Sequence, residues 1–321
     1  MYRNRLKYPG PDYNTLIEKQ QQGLEYMTRI EHPKFIFVGS SSVINGVDVK
    51  QMQKNFQDDT LVMNYAVTAL TACEIPMMKK YFLDNKVKTM VYLYNTFSFP
   101  DEPYENASQV RWDTFEFFKI ATPSQWWKYR IAIAQGVLGE IFSTVRYRNL
   151  IRDFISRALQ GKLHSPADDY DYGEDDKPVK HQSRIAVDPL PISDRSRRIY
   201  VESDTENENL GYRSLRRALQ LAKDKGIRVL VMPVPEPEFA SYSKYRQGIN
   251  IRTIDDHVAK ICAEEHFDFL PRSEVSDIEA VDQNFRDHVH LHWKARKIYT
   301  NFLERKLKGL YYFSPVTVLT K

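Results

Sequence analysis

The chain alternates short, uniformly apolar runs with longer segments whose apolar positions recur at helical spacing. Lys34-Phe35-Ile36-Phe37-Val38 is the first run and ends at Gly39. Thr60-Leu61-Val62-Met63-Asn64 is the second, and Thr89-Met90-Val91-Tyr92-Leu93-Tyr94 the third. Arg228-Val229-Leu230-Val231-Met232 is the fourth, halted by Pro233 and Pro235, and Phe267-Asp268-Phe269-Leu270 is a short fifth. Helical patterns fall at 71–85, at 209–225 with Gly226 as the residue that stops it, at 251–265 and at 292–308. Strands apolar at every position must be covered on both faces. The pattern therefore predicts an α/β fold: a three-layer α/β/α sandwich around a parallel, flavodoxin-like sheet of about five strands.

Residues 106–199 break the rhythm. The stretch 124–162 holds seven Lys or Arg (Lys128, Arg130, Arg146, Arg148, Arg152, Arg157, Lys162) against Glu140 and Asp153, interleaved with Trp126, Trp127, Tyr129, Phe142 and Tyr147. It reads as two helices or one long bent one. Asp168 to Asp176 follows as an acidic loop. Asp169 and Asp171 are spaced like the start of a calcium loop, but Gly173 stands where a third ligand belongs. The expected organisation is a helical lead-in (1–33), an α/β domain built from 34–105 and 200–312, a helical insertion (106–199) and a C-terminal tail (313–321). No internal repeat is visible.

Composition removes several classes. The 321 residues include 12 Gly, about half the usual share of roughly 7%. Neither G-x-G-x-x-G nor G-x-x-x-x-G-K-[ST] occurs, so dinucleotide and P-loop readings fall away and no cofactor is expected. A net charge of +4 is too mild to point to nucleic acid. Cys73 and Cys262 form no C-x-x-C pair for zinc or redox work. Met1 to Gly10 lacks the apolar core of a signal peptide, and no run of 18 apolar residues occurs. A cytoplasmic location is expected, or a cell-envelope one if an upstream signal or anchor was trimmed. The aromatic, basic 124–160 stretch is a candidate contact for a membrane surface or a membrane protein.

Three features fall at the carboxyl ends of the strands, where open α/β sheets bind ligands. Gly39-Ser40-Ser41-Ser42 follows the first strand and can expose a serine hydroxyl at a tight turn, though it is also good turn and N-cap sequence. Asn64-Tyr65-Ala66-Val67-Thr68-Ala69 follows the second, with small residues that let backbone N–H groups approach an oxyanion. Asp287-His288-Val289-His290 precedes the last helix; a carboxylate three residues from an imidazole can orient it to take a proton from a hydroxyl. A rival reading uses the alternation of His288, His290 and His292 to bind a metal.

Together these blocks resemble the SGNH (GDSL-like) hydrolase family over about 34–100 and 209–308. Ser41 matches the family's nucleophile, with Ser40 in place of the usual Asp, and Asp287 and His290 match its closing D-x-x-H. The Gly-Ser-Ser block looks most like the DltD and alginate O-acetylation (AlgJ/AlgX) branch, which works on acyl groups of cell-envelope polymers. In the second block Ala66 replaces the family's oxyanion Gly. In the third, Asn95 falls on the Gly and Phe97 on the Asn. The resemblance implies an acyl-Ser41 intermediate, His290 as base, Asp287 as its orienter, and Ala66, Asn95 and Asn64 as candidates for the oxyanion site. An ester-bearing substrate, a carbohydrate among the candidates, then passes its acyl group to water or to a sugar hydroxyl. The altered blocks leave open a catalytically silent glycan- or partner-binding module, and the histidines leave open a metal-dependent hydrolase. Oligomeric state is not legible.

Overall fold

A computed structural model describes residues 20, 23–56, 58–100, 114–142, 151, 152, 155, 156, 159, 209–237, 251–285 and 290–313. The order of elements is β1 (Lys34–Gly39), α1 (Ser41–Gly46), α2 (Val49–Gln53), β2 (Leu61–Asn64), α3 (Glu74–Met77), α4 (Lys79–Phe82) and β3 (Val87–Tyr94). Then come α5 (Thr114–Ile120), α6 (Pro123–Lys128), α7 (Arg130–Ile141), α8 (Leu210–Asp224), β4 (Arg228–Pro233), α9 (Ile251–Glu265), β5 (Asp268–Phe269), α10 (Ser276–Glu279) and α11 (Trp293–Gly309).

The sheet has five strands in the order β2-β1-β3-β4-β5, and every pairing is parallel. This is the doubly wound, flavodoxin-like order, whose switch point lies between β1 and β3. The uniformly apolar strands explain the layering. Phe35 and Phe37 of β1, Val91 and Leu93 of β3, and Leu230 and Met232 of β4 pack on one face, with Val43 of α1 and Leu303 of α11. Ile36 and Val38, Met90 and Tyr92, and Val229 and Val231 pack on the other, against α3, α4, α8 and α9. The period-2 alternation thus feeds two cores rather than one core and one wet face.

The long helices follow their patterns. α8 is capped by the Asn209 side chain, which accepts from the Tyr212 N–H. Its buried stripe is Leu215, Ala218, Leu219 and Ala222, and Gly226 closes it in the left-handed region at φ 66°. The helix expected over 71–85 is instead two short ones broken at Met78. Pro76 is the physical reason for the late start: it has no N–H and fits only in a first turn, so α3 begins at Glu74. Within 106–199, Phe117 and Ile120 of α5 are buried with the α8 layer. The acidic stretch 168–176 lies outside the described residues. Trp127 of α6, Ile131 of α7 and Phe142 just past it are exposed, and Arg130 lies over the Trp127 ring at 4.5 Å. Among the described residues no helix is long and apolar enough to cross a membrane.

Candidate active site

Gly39 ends β1 where the chain must pass close to β3. A Cβ on Gly39 would overlap the Leu93 carbonyl oxygen and lie 2.5 Å from Val43 Cγ2, so the turn accepts only hydrogen at this position. Ser40 follows as the N-cap of α1, its hydroxyl accepting from the Ser42 N–H at 3.4 Å. Ser41 is therefore the first residue of the helix. It is half-buried, its carbonyl is held by Asn45 Nδ2 at 2.9 Å, and its N–H has no acceptor among the described residues.

His290 reaches this serine from 249 positions away: its Nε2 is 2.9 Å from Ser41 Oγ. The neighbours of His290 explain how it is held. Leu291 forms an antiparallel bridge with Phe285, and the His292 N–H donates to the Asn284 carbonyl at 2.7 Å. Both bridge residues are buried. Leu291 also packs beside Gly46 and Tyr299, at the far end of the helix that begins with Ser41. Base and nucleophile are thus referenced to the same piece of core. Asp287 and His288 lie outside the described residues.

The three oxyanion candidates are arranged differently from one another. Asn64 bridges α1 and its own loop: its Nδ2 donates to the Val43 carbonyl at 3.2 Å and its Oδ1 accepts the Ala66 N–H at 3.0 Å. The Ala66 N–H expected as a donor is therefore engaged, because the Asn side chain two residues earlier closes an Asx-type turn on it. Asn95 comes to the nucleophile turn. Its Oδ1 accepts from the Phe97 N–H at 3.0 Å and the Ser98 hydroxyl at 3.1 Å, which aims Nδ2 at Ser40 Oγ, 3.1 Å away. One amide hydrogen makes that bond and Nδ2 carries a second.

Behind Asn95 lies a buried charge cluster that the sequence reading missed. Glu236, just past β4, accepts from the Thr96 N–H at 3.1 Å and the Thr96 hydroxyl at 2.6 Å. Its own N–H donates to Glu279 at 3.0 Å. Arg272 joins three carboxylates: Glu279 at 2.8 Å, Asp255 at 3.1 Å and Glu236 at 3.4 Å. Tyr94, at the end of β3, donates to Asp255 at 2.8 Å. Burial raises the pKa of Asp255 and of Glu279, and Arg272 only partly offsets it. Burial alone would lower Arg272, but the surrounding carboxylates more than reverse this and hold it charged. Polar residues at the carboxyl ends of β3, β4 and β5 were the available signal, since that edge is where such sheets work.

Two of the three histidines of the metal reading are visible. His290 is on Ser41, and His292 caps α11, its Nδ1 accepting from the Lys294 N–H at 3.4 Å. No group of three or more His, Cys, Asp or Glu able to hold a metal occurs among the described residues.

No protein-family model matches the chain, and no curated protein sequence matches it. Among solved structures, a crystal structure of TesA aligns at 13% identity with a TM-score of 0.40, covering 86% of this chain and 99% of its own. A structure from Streptococcus pneumonia, described provisionally as a platelet activating factor, aligns at 11% identity and the same TM-score, covering 91% and 92%. Likeness this distant adds nothing to what the parallel sheet and the Ser41–His290 contact establish by themselves.

Proposed function

We propose that the protein is a serine-dependent acyl hydrolase or O-acyltransferase of SGNH type. The observation that carries the reading is the 2.9 Å contact between His290 Nε2 and Ser41 Oγ at the carboxyl edge of a doubly wound sheet. Ser41 Oγ attacks the carbonyl carbon of an ester as His290 Nε2 takes the hydroxyl proton. The Ser41 N–H and the second amide hydrogen of Asn95 are the donors best supported for the oxyanion, and Ala66 would join only if Asn64 released its N–H. Collapse of the tetrahedral intermediate expels the alcohol, which leaves with the proton from His290, and the acyl group remains on Ser41. Water or a sugar hydroxyl then attacks acyl-Ser41, giving a free acid or a new ester. Asp287, by its place in the D-x-x-H block, is assigned to orient His290.

The nearer kinship to the DltD and AlgJ/AlgX branch, and with it a cell-envelope glycan as acceptor, rests on the Gly39-Ser40-Ser41 block alone. The engaged Ala66 N–H favours a second reading, a silent module of the same fold that binds without turning over. Hydrolysis of p-nitrophenyl acetate separates the two. The enzyme reading expects turnover that falls by at least about a hundredfold in Ser41→Ala and in His290→Ala. Absence of turnover across short-chain esters, or turnover that survives Ser41→Ala, contradicts it.

A further inference from the structure

Beyond the serine turn lies a cationic cleft that the acyl chemistry does not use. It has a volume of about 520 Å³ and is lined by Lys50, Lys54, Trp293, Arg296 and Lys297, with Asp48 among them. The sequence spacing builds it. Lys50 and Lys54 are four apart at α2, and Trp293, Arg296 and Lys297 stand at i, i+3 and i+4 on α11, so each helix aims one face into the same space. Four cations share the cleft with one carboxylate, and that carboxylate is committed locally: Asp48 accepts the Gln51 N–H at 3.1 Å to cap α2. Among the described residues none of the four cations forms an ion pair. Arg296 Nη2 donates to the Val47 carbonyl at 3.1 Å, while its Nε is buried without an acceptor. Trp293 is 47% exposed, and Lys294 Nζ lies 5.4 Å from its ring centre.

We propose that this cleft binds the acidic part of an ester-bearing saccharide, a carboxylate, phosphate or sulfate group on a sugar whose ring lies against Trp293. An oxyanion there relieves the repulsion among the cations. The lining argues against single-stranded nucleic acid, because a single indole is not the row of stacking platforms such a strand uses. The saccharide end of the inference rests on the ester chemistry proposed above; the anion site does not. Position links the two. Trp293 is three residues from His290, so their Cα atoms are at most about 11 Å apart. Asp48 follows α1, which runs about 9 Å from Ser41. A sugar acid held here places an ester one or two units away at the serine.

Calorimetric titration tests it with a galacturonate trimer, glucose 6-phosphate and glucose 6-sulfate as the three anion arms and cellotriose as the neutral control. At least one acidic ligand should bind with a Kd of about 1 mM or tighter and weaken with added salt. The exposed charge-reversal pair Lys54→Glu/Lys297→Glu should weaken it by at least about tenfold and leave p-nitrophenyl acetate turnover unchanged. Equal binding of cellotriose, unaltered binding by the variant, no binding in any arm, or tighter binding of a single-stranded oligonucleotide each overturns the proposal. Acid-dependent binding in a protein that turns over no ester upholds the cleft and sinks the esterase reading, so the two failures are distinguishable.

Discussion

Replacing Glu116 with glutamine is expected to destabilise the fold at neutral pH and to do so far less in acid. Glu116 sits on α5 with its carboxylate almost fully buried, receiving Arg217 at 2.7 Å and 3.2 Å, Lys79 at 3.1 Å and Lys119 at 3.1 Å. It therefore ties α5 to α4 and α8. Burial alone would raise its pKa, but the hydrogen bonds from Arg217, Lys119 and Lys79 win and bring it from 4.5 to about 2. A folded-state pKa below the unfolded one contributes stability that is present above the unfolded value and is lost as pH falls through the folded value. The lowered value corresponds to roughly 3 kcal/mol at pH 7, falling to about 1 kcal/mol at pH 3 and less than that at pH 2. The ammoniums of Lys79 and Lys119 are partly solvated, so about 2–3 kcal/mol at physiological salt is the working figure. Urea unfolding of wild type and Glu116→Gln, measured from neutral pH into acid at constant ionic strength, reads the gap directly. A gap that stays constant with pH, or a variant as stable as wild type at pH 7, refutes the electrostatic origin.

Gly39→Ala is expected to cost about 1–3 kcal/mol through overlap with the Leu93 carbonyl, and to lower kcat/KM for a short ester further than that loss explains because the turn presents Ser41. Leu291→Ala is expected to cost about 2–5 kcal/mol and, in protein that remains folded, to reduce kcat with little change in KM, as the residue that anchors His290 loses its packing; unchanged kcat would contradict that anchoring role. The Arg272 cluster carries the opposite pH sign to Glu116. The Asp255 and Glu279 pKa values are raised above their ordinary 3.8 and 4.5, so their stabilisation is complete below those values and is lost as pH rises through the folded ones. Asp255→Asn/Glu279→Gln should therefore flatten stability against pH above the ordinary carboxylate range, and an unchanged slope there would discount the cluster.

The sheet was legible because strands buried on both faces leave continuous apolar runs, and Gly226 marked the end of α8 by the same local chemistry it uses in the fold. The closeness of Ser41 to His290 was legible because each stands at a strand or helix boundary in a recognisable block. The 71–85 helix failed on Pro76, whose missing N–H outweighed the apolar periodicity. Ala66 shows a finer limit: the Asn64 side chain occupies its backbone N–H, and only the folded loop reveals that competition. The convergence of the Glu236–Arg272–Asp255–Glu279 cluster was missed for another reason. Its members come from four separate segments, and no spacing in the sequence says that three carboxylates converge on one guanidinium.

Trapping the acyl-enzyme tests the central claim most directly. Protein exposed briefly to p-nitrophenyl acetate, quenched in acid and measured by intact mass with peptide mapping, should carry one acetyl group on Ser41. The label should be absent from Ser41→Ala and should form more slowly in His290→Ala. An acetyl group on another residue, or ester turnover undiminished in Ser41→Ala, would contradict a serine-borne intermediate.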